Sequence, residues 1–158
     1  MFDNYSPPPV LVLGVGNILL SDEGVGIRVI EQLQRDYHFP ENIELIDGGT
    51  LGHGLIDVLR GRQRVLVIDA VKTDGPPGAI YRFSGKDLAP ARGNLNSVHD
   101  IGVSEALFFL SLKEELPPDI EFYGIQPKSL TPSLELSPEV SAAAQKVVAM
   151  IIKDLSNV

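Results

Sequence analysis

The sequence predicts a three-layer α/β fold, a mostly parallel, twisted, five-stranded sheet with helices on both faces. Three observations lead there. Short, mostly apolar runs at Val10 to Val15, Ile43 to Ile46, Val65 to Ile68 and Ile120 to Ile125 suit strands buried within a sheet. Segments of helical spacing lie between and after these runs, and strands alternating with helices favour right-handed parallel crossovers. The 158 residues, 44% hydrophobic and 22% charged, match one ordinary globular core. Residues 1–9 read as a flexible lead and 10–158 as a single α/β domain, with no internal repeat or low-complexity tract.

The lead is Pro-rich (Pro7, Pro8, Pro9), and Gly16 ends the first strand. Ser21 and Asp22 are suitable N-caps for a helix carrying Val25, Val29, Ile30, Leu33 and Tyr37 at helical spacing. Asp47-Gly48-Gly49 closes the second strand, and a helix is expected over Gly54 to Leu59. Arg60, Arg62 and Arg64 read as a solvated helix end and loop. The third strand is expected to end at Asp69. Asp74-Gly75-Pro76-Pro77-Gly78 is strong turn chemistry, after which Ala79 to Phe83 would return antiparallel as an edge strand. Gly85 to Val98 is aperiodic, and loops of that length in compact domains usually serve function.

His99 to Leu112 is expected to form a helix buried through Val103, Ala106, Leu107 and Leu110. Gln126 to Leu136, interrupted by Pro127 and Pro132, is a second irregular loop. Ser137-Pro138-Glu139 then opens the last helix with an N-cap, a proline at the first helical position and an acid in the first turn. Its buried stripe runs from Val140 through Ala144, Val147, Val148, Ile151 and Ile152 to Leu155.

Composition excludes several functions. A net charge of −8 disfavours nucleic acid and anionic membrane surfaces as partners. The absence of cysteine excludes disulfides, thiolate zinc sites and cysteine nucleophiles, and it permits a reducing cytoplasm. Met1 to Pro9 lacks the basic start and apolar core of a signal peptide, and no apolar run is long enough to span a bilayer. The expectation is a soluble, cytoplasmic protein. Neither a G-x-S-x-G elbow nor an H-E-x-x-H zinc motif is present.

The informative stretch follows the first strand. Gly14-Val15-Gly16 invites a dinucleotide reading, but Leu19 occupies the sixth position of G-x-G-x-x-G, where Gly or Ala is needed, and Ile18 and Leu20 are bulky too. What stands there is Gly16-Asn17-Ile18-Leu19-Leu20-Ser21-Asp22-Glu23-Gly24-Val25-Gly26. Two acids at a helix start favour the helix dipole, which alone accounts for them. Gly24 and Gly26 need another reason, because a glycine in a helix costs about 1 kcal/mol relative to Ala. They suggest close approach of another chain or of a strand.

This string resembles the G-N-x-L-x-x-D-E-G-x-G signature of the hydrogenase maturation proteases. The resemblance continues through Asp47-Gly48-Gly49-Thr50, Val67-Ile68-Asp69-Ala70, Ser97-Val98-His99, Gly124-Ile125-Gln126-Pro127 with Ser129-Leu130, and Leu136-Ser137-Pro138. It covers nearly the whole chain after Pro9. It implies an endopeptidase that removes a C-terminal peptide from the nickel-loaded precursor of a [NiFe] hydrogenase large subunit. By resemblance, Glu23, Asp69 and His99 are the metal ligands, with Glu23 or Asp69 handling protons in catalysis. The nickel is expected to arrive with the substrate, and no tightly bound intrinsic metal is expected.

An open α/β sheet gathers ligands at the C-terminal ends of its strands, so Glu23, Asp69 and His99 can meet despite their separation in sequence. Carboxylate and imidazole ligands suit nickel or zinc, and three protein ligands leave positions open. Each also has a plainer role available: a first-turn acid, a strand-end turn former, a helix-start residue. Asp47 and His53, near the end of the second strand, are candidates for binding substrate, with a turn role equally open to Asp47. His38 suits a helix C-terminus. A monomer is expected. A metal-dependent maturation chaperone without catalysis, or a nucleotide-binding module, would be the alternatives.

Overall fold

The computed structural model describes residues 5–49, 51–85, 96–97 and 103–156. In chain order the elements are β1 (Val10–Val15), a 3-10 turn (Ser21–Gly24), α1 (Val25–Asp36), β2 (Ile43–Gly49), α2 (Gly54–Leu59), β3 (Arg64–Lys72), β4 (Ile80–Ser84), β5 (Asn96–Ser97), α3 (Val103–Leu112), β6 (Asp119–Ile125) and α4 (Pro138–Leu155). The main path of the sheet runs β2-β1-β3-β6-β4, with β5 paired to β3. β1, β2, β3 and β6 are parallel, and β4 runs antiparallel at the edge beside β6. This is the five-stranded, mostly parallel sheet expected, including its antiparallel edge. The two-residue β5 is an addition, because Gly85 to Val98 carries no strand periodicity.

Every residue of β1 is buried, as a continuous apolar run in a central parallel strand requires. Alternation along β3 then sorts the core into two halves. Leu66, Ile68 and Ala70 face α1 and α4, while Val65 and Val67 face α2 and α3. Ser137 caps α4 as expected, its hydroxyl accepting from the Val140 N–H at 3.4 Å. The stripe from Val140 to Leu155 closes over β6, each fully buried aliphatic side chain contributing about 1.5–3 kcal/mol.

Four expectations are corrected. Tyr37 is not part of α1; it is extended and exposed, since the helix ends at Asp36. The third strand does not stop at Asp69 but continues to Lys72, because β6 and then β5 supply backbone partners past that point. Arg62 is buried rather than solvated. Its guanidinium donates to the carbonyls of Val58 (3.0 Å) and Pro8 (2.8 Å) and pairs with Glu44 at 2.7 Å. Arg64 belongs to β3 and pairs with Asp119 at 3.1 Å, whereas Arg60 is exposed as expected. The last correction concerns Ser21 and Asp22, which form the 3-10 turn and do not cap α1, whose N-cap is Gly24. The start of the helix expected from His99 lies outside the described residues until Val103.

Candidate active site

The sheet order decides where a site can form. From β1 the chain crosses to β2 on one side and then to β3 on the other, so the crevice of this open sheet lies beyond the C-terminal ends of β1 and β3. Glu23 sits in the 3-10 turn that follows β1, and the turn contacts β3. Asp69 is the first residue of β3 past its last pairing with β1, Gly14 with Ile68. Both residues therefore stand at the switch point, and both are largely buried.

Gly26, one of the two glycines that the sequence left unexplained, sets this arrangement together with Gly14. A Cβ on Gly26 would lie 2.3 Å from the Ile68 carbonyl oxygen and 2.5 Å from that of Val15. One on Gly14 would lie 2.3 Å from the Gly26 carbonyl oxygen. The first turn of α1 is thus pressed against the ends of β1 and β3, backbone to backbone. Gly26 follows Glu23 by three residues, and Ile68 immediately precedes Asp69. The partner Gly26 admits is a strand of the same chain, whereas Gly24 is crowded by the loop after β1, where a Cβ would lie 2.7 Å from Ile18 Cα.

Asp22 and Glu23 have different environments. Asp22 is fully buried and its carboxylate is turned toward the segment Lys128–Ser137. Lys128 itself extends to Glu139 at 2.7 Å, and this hydrogen bond holds the exposed Glu139 carboxyl below its ordinary range. The later loop, Gln126 to Leu136, lies against the turn that carries Glu23, with the Ser21 N–H donating to the Ser133 carbonyl at 2.8 Å.

His99 lies outside the described residues. The described part of its segment is β5, in which Asn96 pairs with Lys72 and Ser97 with Val71. Antiparallel to β3, the chain there advances toward Asp69. Among the described residues there is no group of three or more His, Cys, Asp or Glu that could hold a metal. Asp47 is an exposed residue of β2 opposite Gly14, two residues before the strand's end. His53 is exposed just before α2, on the rim of a groove of about 520 Å³ between α2 and α3 that Ile56, Phe108 and Phe109 also line. Most of Gly85 to Val98 falls outside the described residues.

The family model described as hydrogenase maturation protease matches residues 27–154. The hydrogenase 2 maturation protease of Escherichia coli K12 is 33% identical over 92% of this chain and 90% of its own length. The chain belongs to the hydrogenase maturation protease family. Solved structures agree. The hydrogenase maturating endopeptidase HybD from E. coli superposes with a TM-score of 0.86 at 32% identity, covering 94% of this chain and 92% of that one. The [NiFe] hydrogenase maturation protease HybD from Thermococcus kodakarensis gives 0.77 at 31% identity, covering 91% and 97%.

Membership makes the chain a peptidase of hydrogenase maturation, and the chaperone and nucleotide-binding alternatives fall away. In this maturation protease, the sequence reading missed what Asp22 does. Its hydrogen-bond donors lie more than a hundred residues away, so no local pattern reports them. The helix dipole alone accounts for two acids at a helix start, so the sequence carried no signal of this role. Among the described residues no helix is long and apolar enough to cross a membrane.

Proposed function

We propose that this protease removes the C-terminal extension of a nickel-loaded [NiFe] hydrogenase large-subunit precursor, acting as a monomer in the cytoplasm, with Glu23, Asp69 and His99 engaging the nickel that the substrate brings. The observation that carries this is the placement of Glu23 and Asp69 at the β1/β3 switch point, fixed by the Gly26 contact. The donor set fits: carboxylate oxygen and imidazole nitrogen are suitable for a borderline divalent ion, and three ligands leave room for the substrate's own. The metal supplies Lewis acidity toward the scissile carbonyl or an attacking water.

The remaining chemistry falls to the chain. Either Glu23 or Asp69 takes a proton from water and returns one to the leaving amine, as a positioned carboxylate can. Asp47, exposed on β2, and His53, exposed before α2, hold the precursor alongside. The loop from Gln126 to Leu136, adjoining the Glu23 turn, contributes to the same cradle. The ion is expected to arrive with the substrate, the open positions of a three-ligand set being filled by the precursor's own ligands.

The experiment is direct. Glu23→Gln and Asp69→Asn should each lower processing of nickel-loaded precursor, followed by mass spectrometry, by more than about 100-fold, beyond the usual effect of losing an outer-shell partner. Circular dichroism should show both variants folded. Processing at the parent rate by either variant would remove that residue from the site.

A further inference from the structure

Asp22 is fully buried beside Glu23, yet the reaction proposed above does not use it. Both of its oxygens are engaged. Oδ1 accepts from the Ser137 N–H at 2.7 Å. Oδ2 accepts from the N–H groups of Lys128 (2.9 Å) and Ser129 (3.0 Å) and from the Ser137 hydroxyl at 2.8 Å. An ionised carboxylate has about four acceptor sites, so these four donors leave little capacity for a metal or a substrate. Any contribution of Asp22 to the reaction is therefore through position.

What it positions is the turn carrying Glu23. The backbone of that turn is joined to the same distant segment: the Asp22 N–H donates to the Ser129 carbonyl at 3.1 Å and the Ser133 N–H to the Leu19 carbonyl at 3.0 Å. The Ser21 hydroxyl donates to the Thr131 carbonyl. Ser21 is held at φ 55°, a left-handed conformation that a non-glycine residue adopts only when its surroundings impose it. The Glu23 carbonyl is tied in turn to the Asn17 N–H at 3.2 Å. Ser137 does two jobs, capping α4 and donating to Asp22, so one hydroxyl links the helix start to the turn.

We propose that Asp22 is a positioning residue: its buried carboxylate locks Lys128–Ser137 onto the Ser21–Gly24 turn and so fixes Glu23 in its working place. This rests on the endopeptidase reading above. Misplacing a reacting group by about 1 Å can cost on the order of 100-fold in rate. Asp22→Asn keeps the shape but turns an amide NH₂ toward groups that are themselves donors, so the clamp cannot close in the same geometry. Ser137→Ala removes one donor of the four, and Ser137→Thr restores it.

The test measures kcat and KM for nickel-loaded precursor per folded molecule, at a temperature where circular dichroism shows each variant folded. Asp22→Asn should lower kcat about 30–100-fold with KM changed less than about threefold, Ser137→Ala should lower it about 10-fold, and Ser137→Thr should recover most of the loss. Should Asp22→Asn fail to fold, the Ser137 pair carries the test alone. A lower Tm with parental kcat would show a purely structural residue and overturn the proposal. Parent protein that does not cleave nickel-loaded precursor would overturn the endopeptidase reading beneath it, a result distinct from equal rates in parent and variant.

Discussion

Replacing Gly26 with Ala should destabilise the protein, against the direction of helix propensity. Propensity alone favours Ala within α1 by about 1 kcal/mol. The new methyl, however, would stand 2.3 Å and 2.5 Å from the carbonyl oxygens of Ile68 and Val15, where ordinary contact begins near 3.4 Å. Neither obstacle is a side chain that can swing away, so α1 must lift from the sheet by about 1 Å. Overpacking of this kind costs about 1–3 kcal/mol, and more where the surroundings are rigid. With the upper end of that range offset by propensity, a net loss of about 2 kcal/mol follows, or about 4–8 °C in Tm for a chain of this size.

The same displacement moves Glu23 relative to Asp69, so processing should fall on the order of 100-fold at a temperature where the variant is still folded. Gly54→Ala is the control, since its Cβ would meet Leu51 Cβ at an ordinary 3.6 Å at the start of α2. That variant should be as stable as the parent or slightly more so, by thermal denaturation followed by far-UV circular dichroism. A Gly26→Ala protein at least as stable as the parent, cleaving at the parental rate, would refute the backbone contact as the device that sets the site.

Three further outcomes are expected. Tyr123 is fully buried and donates to Asp154, and burial first, then that hydrogen bond, raises its pKa above the ordinary value. Its phenol is the neutral form favoured by folding, so the associated stability is present below the unfolded pKa of about 10 and is lost as pH rises beyond it; urea titrations of Tyr123→Phe should show a weaker alkaline loss than the parent. Arg62→Ala leaves the Val58 and Pro8 carbonyls without their guanidinium donor and should cost about 2–3 kcal/mol by chemical denaturation, with Arg62→Lys recovering part of it. Shortening the loop between Gln126 and Leu136 at Leu134, which is exposed, should impair processing more than it lowers Tm.

Where local chemistry governs, the sequence was informative. β1 runs from Val10 to Val15 because every position there is apolar or glycine, and α4 starts at Pro138 because Ser137, Pro138 and Glu139 together make a helix start. The antiparallel return of β4 follows from the Pro-Gly turn before it. The misreadings arose where distant segments intervene. Asp22 looks like a cap until Ser137 and Lys128 claim its carboxylate, and Arg62 looks solvated until Pro8 and Glu44 surround it. β3 appeared to stop at Asp69 because a charged residue breaks the apolar run, whereas strand length is set by the partners β6 and β5. Glu23 and Asp69 were legible as motif residues, but their common place at the β1/β3 switch point depends on the sheet order and on the Gly26 contact, neither of which is local.

The most direct measurement compares cleavage of the same large-subunit precursor with and without nickel, using protease treated with chelator and protease left untreated, with products identified by mass. The nickel-loaded precursor should lose its C-terminal peptide with either protease preparation, and the nickel-free precursor should remain intact with both. Efficient cleavage of nickel-free precursor, or activity that disappears when the protease alone is chelated and returns with one ion per molecule, would contradict substrate-borne nickel and point to a protease with its own catalytic metal.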